Sequence, residues 1–230
     1  MREYLWLSYP LAMGDPRPPA IPAPSIEAFM SIKGGDDANV QILRVANHTG
    51  THIDTPAHVI DGGITVHDFL PQDLIYRKIA LIHLKKRDSD VVMPEDLLPF
   101  RARLSRTEMA LFDFGYGRFR RSDPRRYSLR SPGFGVEAAE WIRENCPRLR
   151  ALGLDVPSFS VIAHIEETMK AHAIVLGRSD RKFILIEEMN LEGDRENLRE
   201  VRVNPWLVEG MDSSPCTIVG LREAREGSRR

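Results

Sequence analysis

Four side chains that could bind a metal ion or move a proton lie close together in this sequence. Residues 48–58 read His-Thr-Gly-Thr-His-Ile-Asp-Thr-Pro-Ala-His, so that His48, His52, Asp54 and His58 all stand at even-numbered positions. Neutral imidazole and carboxylate groups are common ligands of divalent transition metals. The spacing therefore predicts a metal site. The alternative is a polar turn whose histidines bind backbone groups.

The residues between these side chains favour an extended backbone. Threonine and isoleucine are β-branched, and alternate side chains of a strand share one face, which would bring His48, His52 and Asp54 together. Gly50 would leave room between the two imidazoles, and Pro56 would end the strand. A helix would also align the first two histidines, but glycine, threonine and a nearby proline are unfavourable in helices.

Further ligands are expected downstream, because three protein ligands would leave open positions, as catalytic metal sites do. The candidates are His164, His172, Glu187 and Glu188. Glu187 ends a strongly apolar segment, where a carboxylate is costly unless it is paired or bound to a metal. The alternative for this residue is a salt-bridged or solvated strand end.

The composition is that of an ordinary globular protein. The chain has 230 residues, of which 42% are hydrophobic and 28% are charged, and its formal net charge is -1. We expect one domain, or a tight pair, with no overall field for nucleic acid or a membrane surface. No segment is apolar enough to span a bilayer, and the sequence suggests neither a signal peptide nor a disulfide framework. These features predict a cytoplasmic protein.

Hydrophobic patterns predict strands that alternate with fewer helices, which indicates a mixed α/β fold. We expect strands over residues 4–8, 40–46, 75–84, 109–114, 151–154, 182–187 and 216–221, and helices that begin at residue 94 or cover residues 136–146 and 165–176.

Three segments are expected to lack regular structure. The six prolines within residues 9–25 indicate a linker or an ordered flap over an active site, and we favour the flap. The arginine-rich residues 118–130 predict a solvated loop, with attraction of an anionic substrate or a subunit contact as alternatives. Residues 223–230 predict a frayed, charged tail.

The pattern H-x-G-T-H-x-D-x-P-x-H matches residues 48–58 at every fixed position and resembles the signature of the metal-dependent cyclase family. This family includes the bacterial kynurenine formamidases (arylformamidases). Residues 172–176 resemble the family's histidine followed by aliphatic residues, and the strand that ends at Glu187 is also similar. Residues 153–158 resemble the family's Asp-x-x-Ser turn, so that the likeness extends from residue 4 to about residue 191. Glu188-Met189 stands where Asn-Leu is common in the family.

The resemblance implies a swivelling β/β/α fold with a mixed central sheet, as a single domain over residues 1–230 that forms a homodimer or homotetramer. It also implies two divalent ions, Zn²⁺ or alternatively Mn²⁺. The implied ligands are His48, His52 and Asp54 for one ion, and His172 and Glu187 to complete the second. Asp54 and Glu187 are the natural bridges, because a carboxylate has two oxygens to share. His58 would remain unligated as the general acid/base.

The expected function is metal-assisted hydrolysis of a C–N amide bond in a small molecule, such as the N-formyl group of N-formylkynurenine. Alternatives are a mononuclear manganese hydrolase of cyclic amides such as isatin, or of lactones, and a non-catalytic metal-dependent binding module. Formamidases of the family tend to carry a tryptophan in the N-terminal loop. This loop has none after Ser8, and Trp6 precedes the loop on the strand, so that Tyr9 or Phe29 would have to contact an aromatic substrate.

Overall fold

The structure of the protein is a computed structural model, which describes residues 2–177 and 182–223. The strands in these ranges are β1 (Arg2–Trp6), β2 (Ser25–Met30), β3 (Val40–Arg44), β4 (His52–Asp54), β5 (Ile75–Tyr76), β6 (Ile79–His83), β7 (Val91–Val92), β8 (Met109–Asp113), β9 (Gly133–Phe134), β10 (Ala151–Leu154), β11 (Ile184–Glu187), β12 (Leu198–Pro205) and β13 (Ser213–Glu223). The α-helices are α1 (Pro94–Leu97), α2 (Arg101–Leu104), α3 (Phe119–Ser122), α4 (Pro124–Arg130), α5 (Val136–Asn145) and α6 (Ile165–Leu176).

Nine of these strands form one mixed sheet in the order β5-β12-β13-β4-β11-β10-β8-β6, with β1 also paired to β13. Strands β6, β8, β10 and β11 are parallel to their neighbours within this group. Strand β4 runs antiparallel to both β11 and β13. It therefore joins the parallel half of the sheet to an antiparallel half. Contacts between β12 and β6 bring the two ends of the sheet together, so that the sheet is nearly closed.

The parallel strands bury side chains on both faces, as is typical of strands covered on two sides. Phe112, Leu152 and Leu185 belong to a core that also contains apolar residues of α5 and α6. Their neighbours in sequence, such as Leu111 and Ile186, belong to a second core inside the curved sheet. Successive side chains thus alternate between the two cores, and they do so up to the ends of the strands. Side chains of β4 and β11 that do not enter the second core therefore face the helical side.

The mixed α/β fold predicted from the sequence is confirmed, and most of the expected strands and helices are present within one or two residues. The segment expected as one strand over residues 75–84 instead forms β5 and β6, separated by Arg77 and Lys78. Residues 224–230 of the expected tail lie outside the described residues, whereas Glu223 is the last residue of β13. No α-helix in the described ranges has the length and apolar character needed to span a membrane.

The expectation of an irregular loop over residues 118–130 is wrong, because this segment forms α3 and α4. Pro124 begins α4, a position where its missing N–H costs no hydrogen bond. The side chain of Asp123 caps the same helix by accepting the backbone N–H of Arg126 at 3.1 Å. Local capping therefore outweighs the repulsion between neighbouring arginines.

Arg120 of α3 is buried and anchors the proline-rich N-terminal segment. Its side chain is only 2% exposed, and its Nη1 donates to Asp15 Oδ1 at 3.1 Å. The guanidinium also lies 4.3 Å from the ring centre of Tyr9, and its Nε lies 3.5 Å from a carboxylate oxygen of Glu188. Residues 9–24, which have no helix or strand, are thus attached to the body of the protein through Arg120, in addition to the hydrogen bond from the backbone N–H of Tyr9 to Thr51 Oγ1 at 3.1 Å.

Replacing Arg120 by alanine should destabilise the protein, because it leaves the carboxyls of Asp15 and Glu188 without their cationic partner. We expect a loss of about 3 kcal/mol in the free energy of unfolding, measured by urea denaturation. The matched control is Arg121→Ala, an exposed position of the same helix, where the change should stay within about 0.5 kcal/mol. Equal losses for the two variants would contradict a stabilising role of Arg120.

Candidate metal centre

The histidine-rich motif combines a turn, a short strand and a 3-10 turn. Only His52–Asp54 is a strand, so the expected extended conformation from residue 48 onward is wrong for residues 48–51. Gly50 has a φ of 64°, a left-handed conformation that glycine adopts without strain. Pro56–His58 then forms a 3-10 turn after the strand. The backbone therefore changes direction before and after β4, and these turns bring His48 and His58 close to each other.

The pairing of β4 places its polar side chains beside those of β11 and β13. His52 lies opposite Glu187 in β11, and Asp54 lies opposite Ser213 in β13. Ile53 between them enters the core inside the sheet, so that His52 and Asp54 face the helical side. His172 comes from α6 on that side, one helical turn after the buried Thr168. The structure thus brings together residues far apart in the sequence.

Short distances connect the residues expected as ligands. His48 Nδ1 lies 3.0 Å from Asp54 Oδ1, and His52 Nε2 lies 3.6 Å from the same oxygen. His52 Nε2 is also 3.4 Å from Glu187 Oε2. The other carboxylate oxygen, Glu187 Oε1, lies 3.2 Å from His172 Nε2. All five side chains therefore form one cluster, of which only His48 is appreciably exposed to solvent.

Hydrogen bonds outside the cluster orient the two buried imidazoles. His52 Nδ1 lies 2.8 Å from the carbonyl oxygen of Gly50, so that this nitrogen must carry the hydrogen. His172 Nδ1 lies 2.7 Å from Ser160 Oγ, whose own hydroxyl donates to the carbonyl of Thr168. His172 Nδ1 is therefore also a donor. In both neutral rings the lone pair is then on Nε2, the nitrogen that faces the carboxylates.

The buried carboxylates of Asp54 and Glu187 make positive charge in the cluster favourable. Burial lowers the pKa of His52, but Asp54 and Glu187 raise it by more, to about 10. For Glu187, burial raises the pKa, whereas contacts with His172 and His52 lower it well below its usual range. The pKa of Asp54 is also lowered, by the same kind of balance with His52 and His48. Without an added cation, the raised pKa values of His52 and His48 favour protons on these two rings, which offset the charge of the carboxylates.

The donor set fits a divalent transition metal. Asp54 Oδ1 and His52 Nε2 are buried without a hydrogen-bond partner among the described residues, although oppositely charged groups lie nearby. Two ligand sets share Asp54, and the ligand atoms within each set lie within 4.8 Å of one another. The sets are His48, His52 and Asp54, and Asp54, His172 and Glu187. Imidazole nitrogens and carboxylate oxygens of this kind suit zinc and manganese alike.

The two adjacent glutamates have different surroundings. Glu187 is in the cluster, and its Oε1 accepts the backbone N–H of Phe159 at 2.6 Å. Glu188 has a left-handed backbone with φ 53° and points towards Arg120. Burial raises the pKa of Glu188 to about 7, although Arg120 opposes this shift. Of the two, Glu187 is therefore the one placed to bind an ion, whereas His164, another candidate, is exposed at the start of α6.

His58 lies at the more exposed side of the cluster, beside an acidic residue that sequence reasoning missed. Its ring centre is 4.4 Å from that of His48 and 6.0 Å from that of His172. Its Nδ1 lies 3.0 Å from Asp212 Oδ2. Asp212 directly precedes β13, which begins at Ser213 and not at residue 216 as expected. A prediction that the last strand begins at Ser213 could have identified Asp212, because the pairing of β13 with β4 brings Asp212 close to His58.

A cleft of about 410 Å³ lies next to the cluster. Its walls include Trp6, Tyr9, Leu11, Thr49, Trp206 and Thr217. Pro215 of β13 is also in the wall and lies opposite His52, although no side chain of the five-residue cluster lines the cleft. Thr49 Oγ1 is buried without a hydrogen-bond partner among the described residues. The cleft thus combines aromatic surface with polar side chains such as Thr217. Phe29 lies elsewhere, on strand β2.

Comparisons with known proteins agree with this architecture. The family model described as "Putative cyclase" matches residues 6–161. Cyclase-like protein 2 of Arabidopsis thaliana is 27% identical over 201 residues, which cover 82% of this chain and 67% of that protein. Kynurenine formamidase of Bordetella petrii is 25% identical over 191 residues, which cover 80% of this chain and 81% of that protein.

A solved structure of isatin hydrolase A from Labrenzia aggregata has a TM-score of 0.80 to this chain at 17% sequence identity. The superposition covers 97% of this chain and 94% of that one. The expected fold class is thereby confirmed. Because the family model also covers more than half of the sequence, including the whole histidine-rich motif, this protein belongs to the cyclase family.

Proposed function

We propose that this protein is a metal-dependent hydrolase that cleaves a C–N amide bond of a small aromatic substrate, most simply an N-formyl aromatic amine such as N-formylkynurenine. One observation carries the proposal: two ligand sets share Asp54 in a buried cluster next to an aromatic cleft. The similarity to a kynurenine formamidase and to isatin hydrolase A supports hydrolysis of an amide attached to an aromatic ring.

The proposed metal ligands fall into two groups around two carboxylates. His48, His52 and Asp54 would hold one divalent ion, and His172 and Glu187 would complete the site of a second. Glu187 can contribute to both sites, since its Oε2 faces His52 and its Oε1 faces His172. Asp54 can do so because it belongs to both ligand sets. Bound divalent ions lower the pKa of water to about 7 and polarise a carbonyl oxygen.

His58 is the proposed general acid/base. Hydrolysis adds the hydroxyl of water to the amide carbon, and the C–N bond can break only if the departing nitrogen receives a proton. Imidazole exchanges protons near neutral pH. The Nδ1 of His58 is engaged by Asp212, so that its Nε2 is the atom available to transfer the proton from water to the departing nitrogen.

The cleft is the proposed binding site for the aromatic part of the substrate. Trp6 and Trp206 are 65% and 47% exposed and both line the cleft, so that they offer aromatic surface to a ligand. Tyr9 also lines the cleft, and Arg120 holds its ring in place. These side chains can take the role of the loop tryptophan found in formamidases of the family. Segment 9–24 would then act as the expected flap.

A second candidate is a mononuclear manganese hydrolase of a cyclic amide or lactone. His48, His52 and Asp54 form a complete set of three ligands without His172 and Glu187. In that case the latter pair would remain a buried ion pair beside the metal. The number of bound ions distinguishes the two candidates.

Metal content tests the number of ions. His172→Ala should lower the content of purified, zinc-loaded protein from about two equivalents per chain to about one, measured by elemental analysis. His164→Ala is the matched control, because this exposed histidine lies just before the same helix and should leave the content unchanged. An unchanged content in His172→Ala would favour the mononuclear candidate.

Substitution of the general acid/base should separate catalysis from metal binding. His58→Ala should reduce turnover by about 10²–10⁴-fold, while metal content stays at the wild-type level. The assay uses a panel of N-formyl aromatic amines, isatin and small lactones with zinc or manganese, and exposed His67→Ala is the control. If His58→Ala loses metal, His58 is a ligand; if the wild type hydrolyses no compound of the panel, a non-catalytic binding module is favoured.

Binding of the aromatic group tests the cleft. Trp6→Ala should raise KM for the best aryl substrate by about 10-fold, since loss of an aromatic contact costs on the order of 1.4 kcal/mol. Tyr4→Ala is a matched control, because Tyr4 is equally exposed on the same strand but does not line the cleft. Identical KM values for the two variants would place the aryl group elsewhere.

A further inference from the structure

We propose that Asp212 is a positioning residue that fixes the tautomer and ring orientation of His58, and that Asn47 in turn fixes the orientation of Asp212. This inference rests on the proposed role of His58 as the acid/base. Neither Asp212 nor Asn47 belongs to the histidine-rich motif or to the two ligand sets that share Asp54.

Asp212 contacts the imidazole ring of His58 directly. The 3.0 Å distance joins Asp212 Oδ2 to His58 Nδ1. An ionised carboxylate only accepts hydrogen bonds, so that His58 Nδ1 must carry the hydrogen. In the neutral ring the lone pair is then on Nε2. A carboxylate that orients a general base in this way is a recurring feature of hydrolytic sites.

The Asp212 carboxylate is held in place on its other side. Its other oxygen, Oδ1, accepts a hydrogen bond from Asn47 Nδ2 at 2.8 Å. The backbone carbonyl of Asp212 accepts both the backbone N–H of Thr55 at 2.9 Å and its hydroxyl at 2.7 Å. The carbonyl of Thr55 accepts the backbone N–H of His58 at 2.9 Å. Thr55 therefore links the backbone of Asp212 to the turn that carries His58.

The placement of hydrogens distinguishes a positioning role from metal binding. His48, His58 and Asp212 also lie close enough together to form a ligand set. However, His48 Nδ1 lies beside Asp54, where its one lone pair would bind the ion of the first proposed site. In the metal-loaded protein, His48 Nε2 must then carry a hydrogen, and this atom faces Ser213 Oγ at 3.0 Å and Asp212 Oδ2 at 3.4 Å. Asp212 thus meets N–H groups of both histidines, where a cation would be repelled.

The experiment uses Asp212→Asn in the zinc-loaded protein. Because Asn47 donates to one side of the new amide, the amide oxygen should remain there and the NH₂ group should face His58. A donor at that place forces His58 into the tautomer with hydrogen on Nε2. We expect kcat to fall by about 10²–10⁴-fold, with KM and metal content close to those of the wild type. Exposed Asp61→Asn is the control for loss of a nearby carboxylate.

A second substitution should partly reverse this loss. Asn47→Ala removes the donor that fixes the amide, so that the new side chain in Asp212→Asn/Asn47→Ala can turn its oxygen towards His58. We expect the double variant to be more active than Asp212→Asn alone, a non-additivity that a purely structural role would not produce. A double variant that is as inactive as Asp212→Asn, or less active, would overturn the role of Asn47.

The tautomer can also be measured without substrate. Nitrogen NMR of zinc-loaded protein labelled in histidine should show His58 with hydrogen on Nδ1 in the wild type and on Nε2 in Asp212→Asn, with assignment from His58→Ala. An unchanged tautomer, or loss of zinc with the substitution, would overturn the proposal. A changed tautomer in a protein that hydrolyses none of the test compounds would instead retain the positioning role and reject the proposed function.

Discussion

The structure depends on two buried carboxylates, those of Asp54 and Glu187, which lie among imidazoles in the interior. Burial of such groups is unfavourable unless positive charge or hydrogen bonds compensate it. Here three histidines supply this compensation, and the lowered pKa of Glu187 and the raised pKa of His52 express the same attraction from both partners. A divalent ion can replace the protons on these rings. The folded state is therefore organised to hold positive charge at this place.

The sheet makes this arrangement possible because β4 lies where its parallel and antiparallel halves meet. One face of β4 contributes Ile53 to the core inside the sheet, while the other face presents His52 and Asp54 to the helical side. Strand β11 adds Glu187 by the same alternation, and α6 adds His172. A strand of three residues can carry the site because pairing on both sides fixes its position.

The surroundings of the cluster connect it to the surface. Arg120 pairs with Asp15 and Glu188 and stacks on Tyr9, so that α3 holds the proline-rich segment beside the aromatic cleft. The left-handed backbone at Glu188 directs this side chain away from the proposed metal ligand Glu187 beside it. The same short segment of chain thus contributes Glu187 to the proposed metal site and Glu188 to the ion pairs that hold the proline-rich segment.

The sequence by itself determined the mixed α/β fold and the local motif, because β-branched residues, helix formers and the spacing of four polar side chains act within a few positions. From the residues alone it offered His164, His172, Glu187 and Glu188 as further ligands, and the resemblance to the cyclase family, with the apolar strand before Glu187, favoured His172 and Glu187. It could not determine the turn at residues 48–51, which depends on a left-handed Gly50. It also could not determine the helices of the arginine-rich segment, which depend on capping by Asp123. Only the tertiary structure placed Asp212 beside His58 and Arg120 beside Asp15, because strand pairing and burial bring together residues with no recognisable spacing.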